Sequence, residues 1–170
     1  HSEDPPRELK IVSSIRNNSS SRTRALSGFL SADRIQLNVA ASSKKRMLEV
    51  LSVLLSRHQA PLDRHTVFQV LNERERLGST GIGNGIALPH GRLNGISEPQ
   101  AAVLRLRQGL DFDAVDDQPV TLVIGLVVPA DATGQQLKIL ASMAQTFSEE
   151  EHRSRILEAQ DIDSLLSLLA

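Results

Sequence analysis

Residues 120–129, VTLVIGLVVP, hold ten consecutive residues without a charge. Ten residues are too few to span a bilayer as a helix, which needs about 20. An apolar run of this length, rich in Val, Ile and Leu, reads as a central strand covered on both faces. Such a strand cannot stand alone. It requires neighbouring strands to satisfy its backbone and helices above and below to cover its side chains. The rest of the chain is read for those partners.

Helical periodicity supplies the covering layers. Ser42 or Ser43 is placed to cap KKRMLEVLSVLLSRH, in which Leu48, Leu51, Val53, Leu54 and Leu55 recur at helical spacing. Asp63 opens a second helix, RHTVFQVLNERERL, with Val67, Phe68 and Leu71 on its buried stripe and Gly78 as its stop. After the apolar strand comes QQLKILASMAQTF, with Leu137, Leu140, Ala141, Ala144 and Phe147 predicted on the core face. EEEHRSRILEA begins with acids, as suits a helix N-terminus, and Asp161 caps a last helix, IDSLLSLLA. DRIQLNV, 33–39, reads as a short edge strand. QAAVLRLR, 100–107, alternates, which predicts a strand with one exposed face. With no repeat and no second domain in sight, the expectation is one α/β (α+β) domain: a small mixed sheet with helices on both faces. Residues 1–25 are polar and rich in Ser, Asn and Arg, and are expected to form a disordered extension.

Composition closes several routes. A net charge of -1 argues against a nucleic-acid binder. The absence of Cys excludes disulfides, thiolate metal sites and a cysteine nucleophile. No apolar run reaches 18 residues and no charged-then-apolar leader is visible, so the expectation is a cytoplasmic protein without membrane insertion.

The chemistry concentrates in GSTGIGNGIALPHGR, 78–92. A dinucleotide loop requires Gly-x-Gly-x-x-Gly between a strand and a helix. Here Gly81, Gly83 and Gly85 are spaced at two, Ile86 stands where the third glycine belongs, and the stretch follows a helix. A Walker A loop requires Gly-Lys-Ser/Thr, which is missing. Asn84-Gly85 between Ile82 and Ile86 is instead a hairpin signal. The glycines then read as geometry around His90, with Pro89 fixing the backbone before it and Gly91 removing bulk after it. A displayed imidazole, mostly neutral at pH 7, has a lone pair with which to take a phosphoryl group. The residues alone equally allow a polar turn histidine.

His58 at a helix end, His65 in a first helical turn and His152 in a charged run lack the spacing and carboxylate company of a metal site. The acid pairs Asp111/Asp113 and Asp116/Asp117 suit an exposed turn better than glycosidase chemistry.

LGSTGIGNGIALPHG closely resembles the phosphorylation segment of the nitrogen-regulatory enzyme IIA proteins, relatives of the fructose and mannitol enzyme IIA domains of the bacterial phosphotransferase system. SSKKRMLEVL, LNERERLGS, DFDAVDDQPV and LVVPADATGQQLKIL extend the resemblance over residues 26–170. It implies a phosphotransferase component with the enzyme IIA fold and without a cofactor. His90 would be phosphorylated by a phosphohistidine on a small HPr-like carrier protein, itself charged by a first enzyme that uses phosphoenolpyruvate. The phosphorylation state would regulate partners such as potassium transport or sensor-kinase components. Arg74 matches the arginine that stabilises phosphoryl charge. Ser79 and Thr80, with Gly83, Asn84 and Gly85, would form the phosphate loop or simply the turn. Ile82, Ile86 and Leu88 would form the apolar rim on which the carrier docks. At Gln136 the sequence departs from the pattern, since relatives often carry a second histidine there. Two other functions stay open: a binding module that is never phosphorylated, and a sugar-specific enzyme IIA component.

Overall fold

The computed structural model describes residues 25–57 and 62–170. The expected N-terminal extension and the reading of His58 therefore fall outside the described residues, apart from Ala25.

The apolar run is β6, Val120–Pro129, and all but one of its residues are buried. It lies inside a six-stranded mixed sheet. β5, Gln100–Leu110, pairs with it antiparallel, and β1, Ile35–Val39, lies parallel to β5 at one edge. On its other side β6 is met first by β3, Ile86–Ala87, and then by β4, His90–Leu93, both parallel to it. β2, Gly81–Gly83, completes the sheet by pairing antiparallel with β3. Two residues, Leu88 and Pro89, separate β3 from β4 along the same edge of β6. The Pro89 carbonyl still accepts from the Leu126 N–H, so the ladder continues across a residue that has no donor of its own.

Period-two alternation divides β6 between two cores. Leu122, Ile124, Leu126 and Val128 face α3, Thr133–Ser148, α4, Glu150–Glu158, and α5, Ile162–Leu169. Val123 and Val127 face α1, Lys44–Leu55, and α2, Arg64–Leu77. Ser43, Asp63 and Asp161 each accept a backbone N–H at the start of their helices, from Arg46, His65 and Ser164. The Asn84-Gly85 hairpin forms, with φ of 58° and 80° at its two central residues. Both lie in the left-handed region that such a turn requires.

Three expectations are corrected. β5 has both faces covered along Gln100–Leu104. Its alternating Arg105 is not a solvated face, because the guanidinium donates to the Ile156 and Ala159 carbonyls at the end of α4. Helix α3 buries Gln136, Ile139, Met143, Thr146 and Phe147, whereas Leu137, Ala141 and Ala144 are exposed. Its inner face is turned by one residue from the stripe that apolarity alone selects. Val53 of α1 is likewise on the rim of its helix rather than in the core.

Gly125 sits at the centre of β6 beneath α1. A Cβ there would lie 2.7–2.8 Å from three side-chain carbons of Leu51, which is itself fully buried. Overpacking at such a point costs about 1–3 kcal/mol. Gly125→Ala should lower the urea midpoint accordingly, and a second change, Leu51→Ala, should then cost less than it does in the wild type. Additive costs in the double-mutant cycle would show that the two positions do not collide.

Candidate functional site

His90 begins β4 at the point where the chain re-enters the sheet beside Leu126. Its imidazole is half-buried. Nδ1 lies 2.8 Å from the Leu88 carbonyl oxygen. A carbonyl only accepts, so Nδ1 carries the proton and the lone pair resides on Nε2. Nε2 has no hydrogen-bond partner among the described residues and is not sealed from solvent. The tautomer that a nucleophilic Nε2 needs is thus fixed by backbone two residues upstream. Burial is the largest influence on the ring and holds its pKa below the ordinary value; the Leu88 carbonyl opposes this, Arg74 adds to it, and Glu75 opposes it.

Helix α2 supplies two arginines to the cavity wall, Arg74 and Arg76. Gly91 allows the close approach, because a Cβ there would stand 2.2 Å from Val70 Cγ1. With Val70 pressed against β4, the same helical face carries Glu73 and Arg74, one turn later, and Leu77, two turns later, to the cavity mouth. Arg74 Nη1 donates to the Gly78 carbonyl at 2.9 Å, and no carboxylate among the described residues pairs with it. Gln136 enters from the first turn of α3. It is 9% exposed, lines the same cavity, and its side-chain amide makes no hydrogen bond among the described residues. The fold thus brings His90, Arg74 and Gln136, from β4, α2 and α3, around one open cavity of about 1060 Å³.

The other expected residues go elsewhere. Ser79 Oγ donates to the Phe112 carbonyl and accepts from the Gly81 N–H. Thr80 Oγ1 and its N–H both donate to the buried Glu75 carboxylate, which also takes Lys44 Nζ at 3.1 Å. These hydroxyls hold the loop; neither lines the cavity. Gly83, Asn84 and Gly85 form the hairpin, which is fastened to Asp116 Oδ2 through the Asn84 N–H. Ile86, in the interior strand β3, is fully buried, and Leu88, just after it, is 6% exposed; both pack in the core beneath α3–α5 and neither offers a docking surface. Ile82 is 37% exposed. The apolar side chain that does stand at the mouth is Leu77, 85% exposed, and Leu137, 63% exposed, lies one residue beyond Gln136. Arg92, which lines the cavity and bonds Thr133, was not selected from sequence, although two-residue spacing from His90 in a strand was a usable signal.

Among the described residues no cluster of His, Asp and Glu is arranged to hold a metal ion, and no helix is long and apolar enough to cross a membrane. Residues 28–170 match the model of the phosphoenolpyruvate-dependent sugar phosphotransferase system EIIA 2 family. The chain belongs to that family. It is 41% identical over 144 residues to a nitrogen regulatory protein of Pseudomonas aeruginosa, covering 85% of this chain and 94% of that one. The crystal structure of nitrogen regulatory protein IIA-Ntr from Neisseria meningitidis superposes with a TM-score of 0.80 at 36% identity, covering 85% and 99%. Mannitol enzyme IIA from Escherichia coli, in its complex with phosphorylated enzyme IIB, shares the fold at a TM-score of 0.66 and 22% identity, covering 82% and 95%. The expected fold and family are therefore correct, and the relatives support a regulatory phosphotransferase-type EIIA.

Because the folded-state pKa of His90 is depressed, the unfolded chain binds the extra proton first as pH falls. Its contribution to stability is complete above about 6.5 and is lost as pH drops from there through the lower folded-state value. An NMR titration should give His90 a midpoint below that of an unstructured histidine, with the neutral Nδ1–H tautomer at pH 7. A midpoint above 6.5 would overturn this assignment of the burial effect.

Proposed function

We propose that this protein is a phosphoryl carrier and regulator of a nitrogen-related phosphotransferase system, in which His90 Nε2 accepts a phosphoryl group from the phosphohistidine of a small HPr-like carrier. The observation that supports this most directly is a proton-fixed imidazole whose free nitrogen opens into the same cavity as an uncompensated guanidinium.

The chemistry follows from that arrangement. Neutral His90 attacks phosphorus through Nε2. The N–P bond of the donor breaks, and its electron pair returns to the donor imidazole. No proton has to move, since Nδ1–H remains on the Leu88 carbonyl and supports the positive charge that the phosphorylated ring acquires. In-line transfer between two ring nitrogens passes through a loose transition state, so positioning and charge carry most of the rate. Arg74 would stabilise the equatorial oxygens, and Gln136 would offer an amide N–H where relatives often carry an imidazole. No cofactor or metal enters. The carrier would dock over the mouth beside Leu77, with Leu137 and Ile82 extending the apolar contact, as a transient interface of about 1,200 Å² or less. A phosphoryl dianion placed in a surface cavity alters its charge, and partners that read this surface would respond. On this reading, potassium-transport or sensor-kinase components would be among the regulated targets.

A second reading, a binding module that is never phosphorylated, draws only on Gln136. An amide cannot take up or release a proton as an imidazole does.

Incubation with phosphoenolpyruvate, the first enzyme and the carrier should label the wild type on His90 and leave His90→Ala unlabelled. A folded wild type that stays unlabelled would establish the second reading. In the same assay Gln136→His should accept phosphate faster by about tenfold, the low end of what one charge-assisted hydrogen bond contributes. An unchanged rate would place residue 136 outside the reacting geometry.

A further inference from the structure

The cavity carries more positive charge than Arg74 alone provides. Arg92 follows His90 by two residues on β4, so strand alternation sends both side chains to the same side. The residues between and after them go the other way, with Gly91 against Val70 and Leu93 in the core beneath α1 and α2. Two positions along a strand are separated by roughly 6.6 Å, within the reach of an arginine side chain. Both residues line the same cavity. Arg92 Nη1 donates to Thr133 Oγ1 at 3.0 Å, which ties the guanidinium to the first residue of α3, one turn before Gln136. As with Arg74, no carboxylate among the described residues forms an ion pair with it. The remaining N–H groups of its fork stay available for an anion.

Building on the reading of His90 as acceptor, we propose that Arg92 is a second phosphoryl-binding residue, which holds the group on His90 from the α3 side while Arg74 holds it from the α2 side. The buried Gln136 amide, unpartnered among the described residues and open to the same cavity, supplies a further donor between them. A planar group in transit between two imidazoles exposes three equatorial oxygens. Two guanidinium groups on opposite walls and one amide provide a donor for each. Thr133 acts as a positioning residue for Arg92, through the bond to its Nη1.

The test separates contact with the phosphoryl group from contact with the carrier. Phosphorylation of His90 is followed with two donors: the phosphorylated carrier, and phosphoramidate, which has no protein surface. Arg92→Ala should slow both by about tenfold or more, the effect of losing one charge-assisted hydrogen bond. Arg92→Lys should recover much of the loss, and the 31P resonance of phospho-His90 should move in Arg92→Ala. Arg92 is exposed, so the thermal midpoint of each variant should match the wild type; if Arg92→Ala does not, Arg92→Gln takes its place. A loss confined to the carrier, with phosphoramidate and the 31P resonance unaffected, would overturn the proposal and make Arg92 a docking residue. Wild-type rates with both donors would overturn it as well, while leaving His90 as acceptor. A wild type that takes phosphate from neither donor would overturn both readings together.

Discussion

The double-sided burial of β6 governs everything else in this molecule. A strand whose alternate residues must both be removed from water forces a three-layer arrangement, with α3–α5 on one side and α1–α2 on the other. It also decides where the edge of β6 is occupied twice. β3 and β4 share that edge, and Leu88-Pro89 is the break between them. His90 stands immediately after this break, so its ring can turn back onto the Leu88 carbonyl while its other nitrogen faces outward. The tautomer of the imidazole is a consequence of how one sheet edge is filled.

Charge is organised around that point by elements that have no sequence proximity. The carboxylate of Glu75 points away from the cavity into a buried network with Lys44 and Thr80, while its neighbour Arg74 points towards it. Lys44 Nζ lies 4.4 Å from the Phe112 ring centroid and also donates to the Phe112 carbonyl. The acid of this helix that does line the cavity is Glu73. Neutralising Glu75 on the inner side of α2 lets the helix carry both signs without discharging its arginine. The same network fixes the Ser79–Thr80 segment and engages the O–H donor of each hydroxyl, on the Phe112 carbonyl and the Glu75 carboxylate.

Much of the architecture was legible from periodicity and caps. Ser43, Asp63 and Asp161 mark helix starts by a chemistry that acts within three residues, and Asn84-Gly85 marks a hairpin because few other residues tolerate two successive left-handed conformations. Local signals of this kind survive folding unchanged. The inner face of α3 was not legible, since apolarity favours Leu137 and Ala141, yet the helix is rotated to seat Gln136 against the cavity. Ile86 and Leu88 looked like a rim because they flank the histidine in sequence. Ile86 is core because β3 is an interior strand, and Leu88, next along the same edge of β6, packs into the same cluster.

The sequence by itself determined the layered α/β class, the helix starts and the hairpin, and marked His90 as the residue to explain, because each of these depends on interactions among neighbours in the chain. Tertiary structure alone decided which nitrogen of that histidine is free, which arginines stand near it, and which apolar side chains reach the surface. Those outcomes depend on distances between β4, α2 and α3, which are set by packing across β6 and which no local pattern of residues encodes.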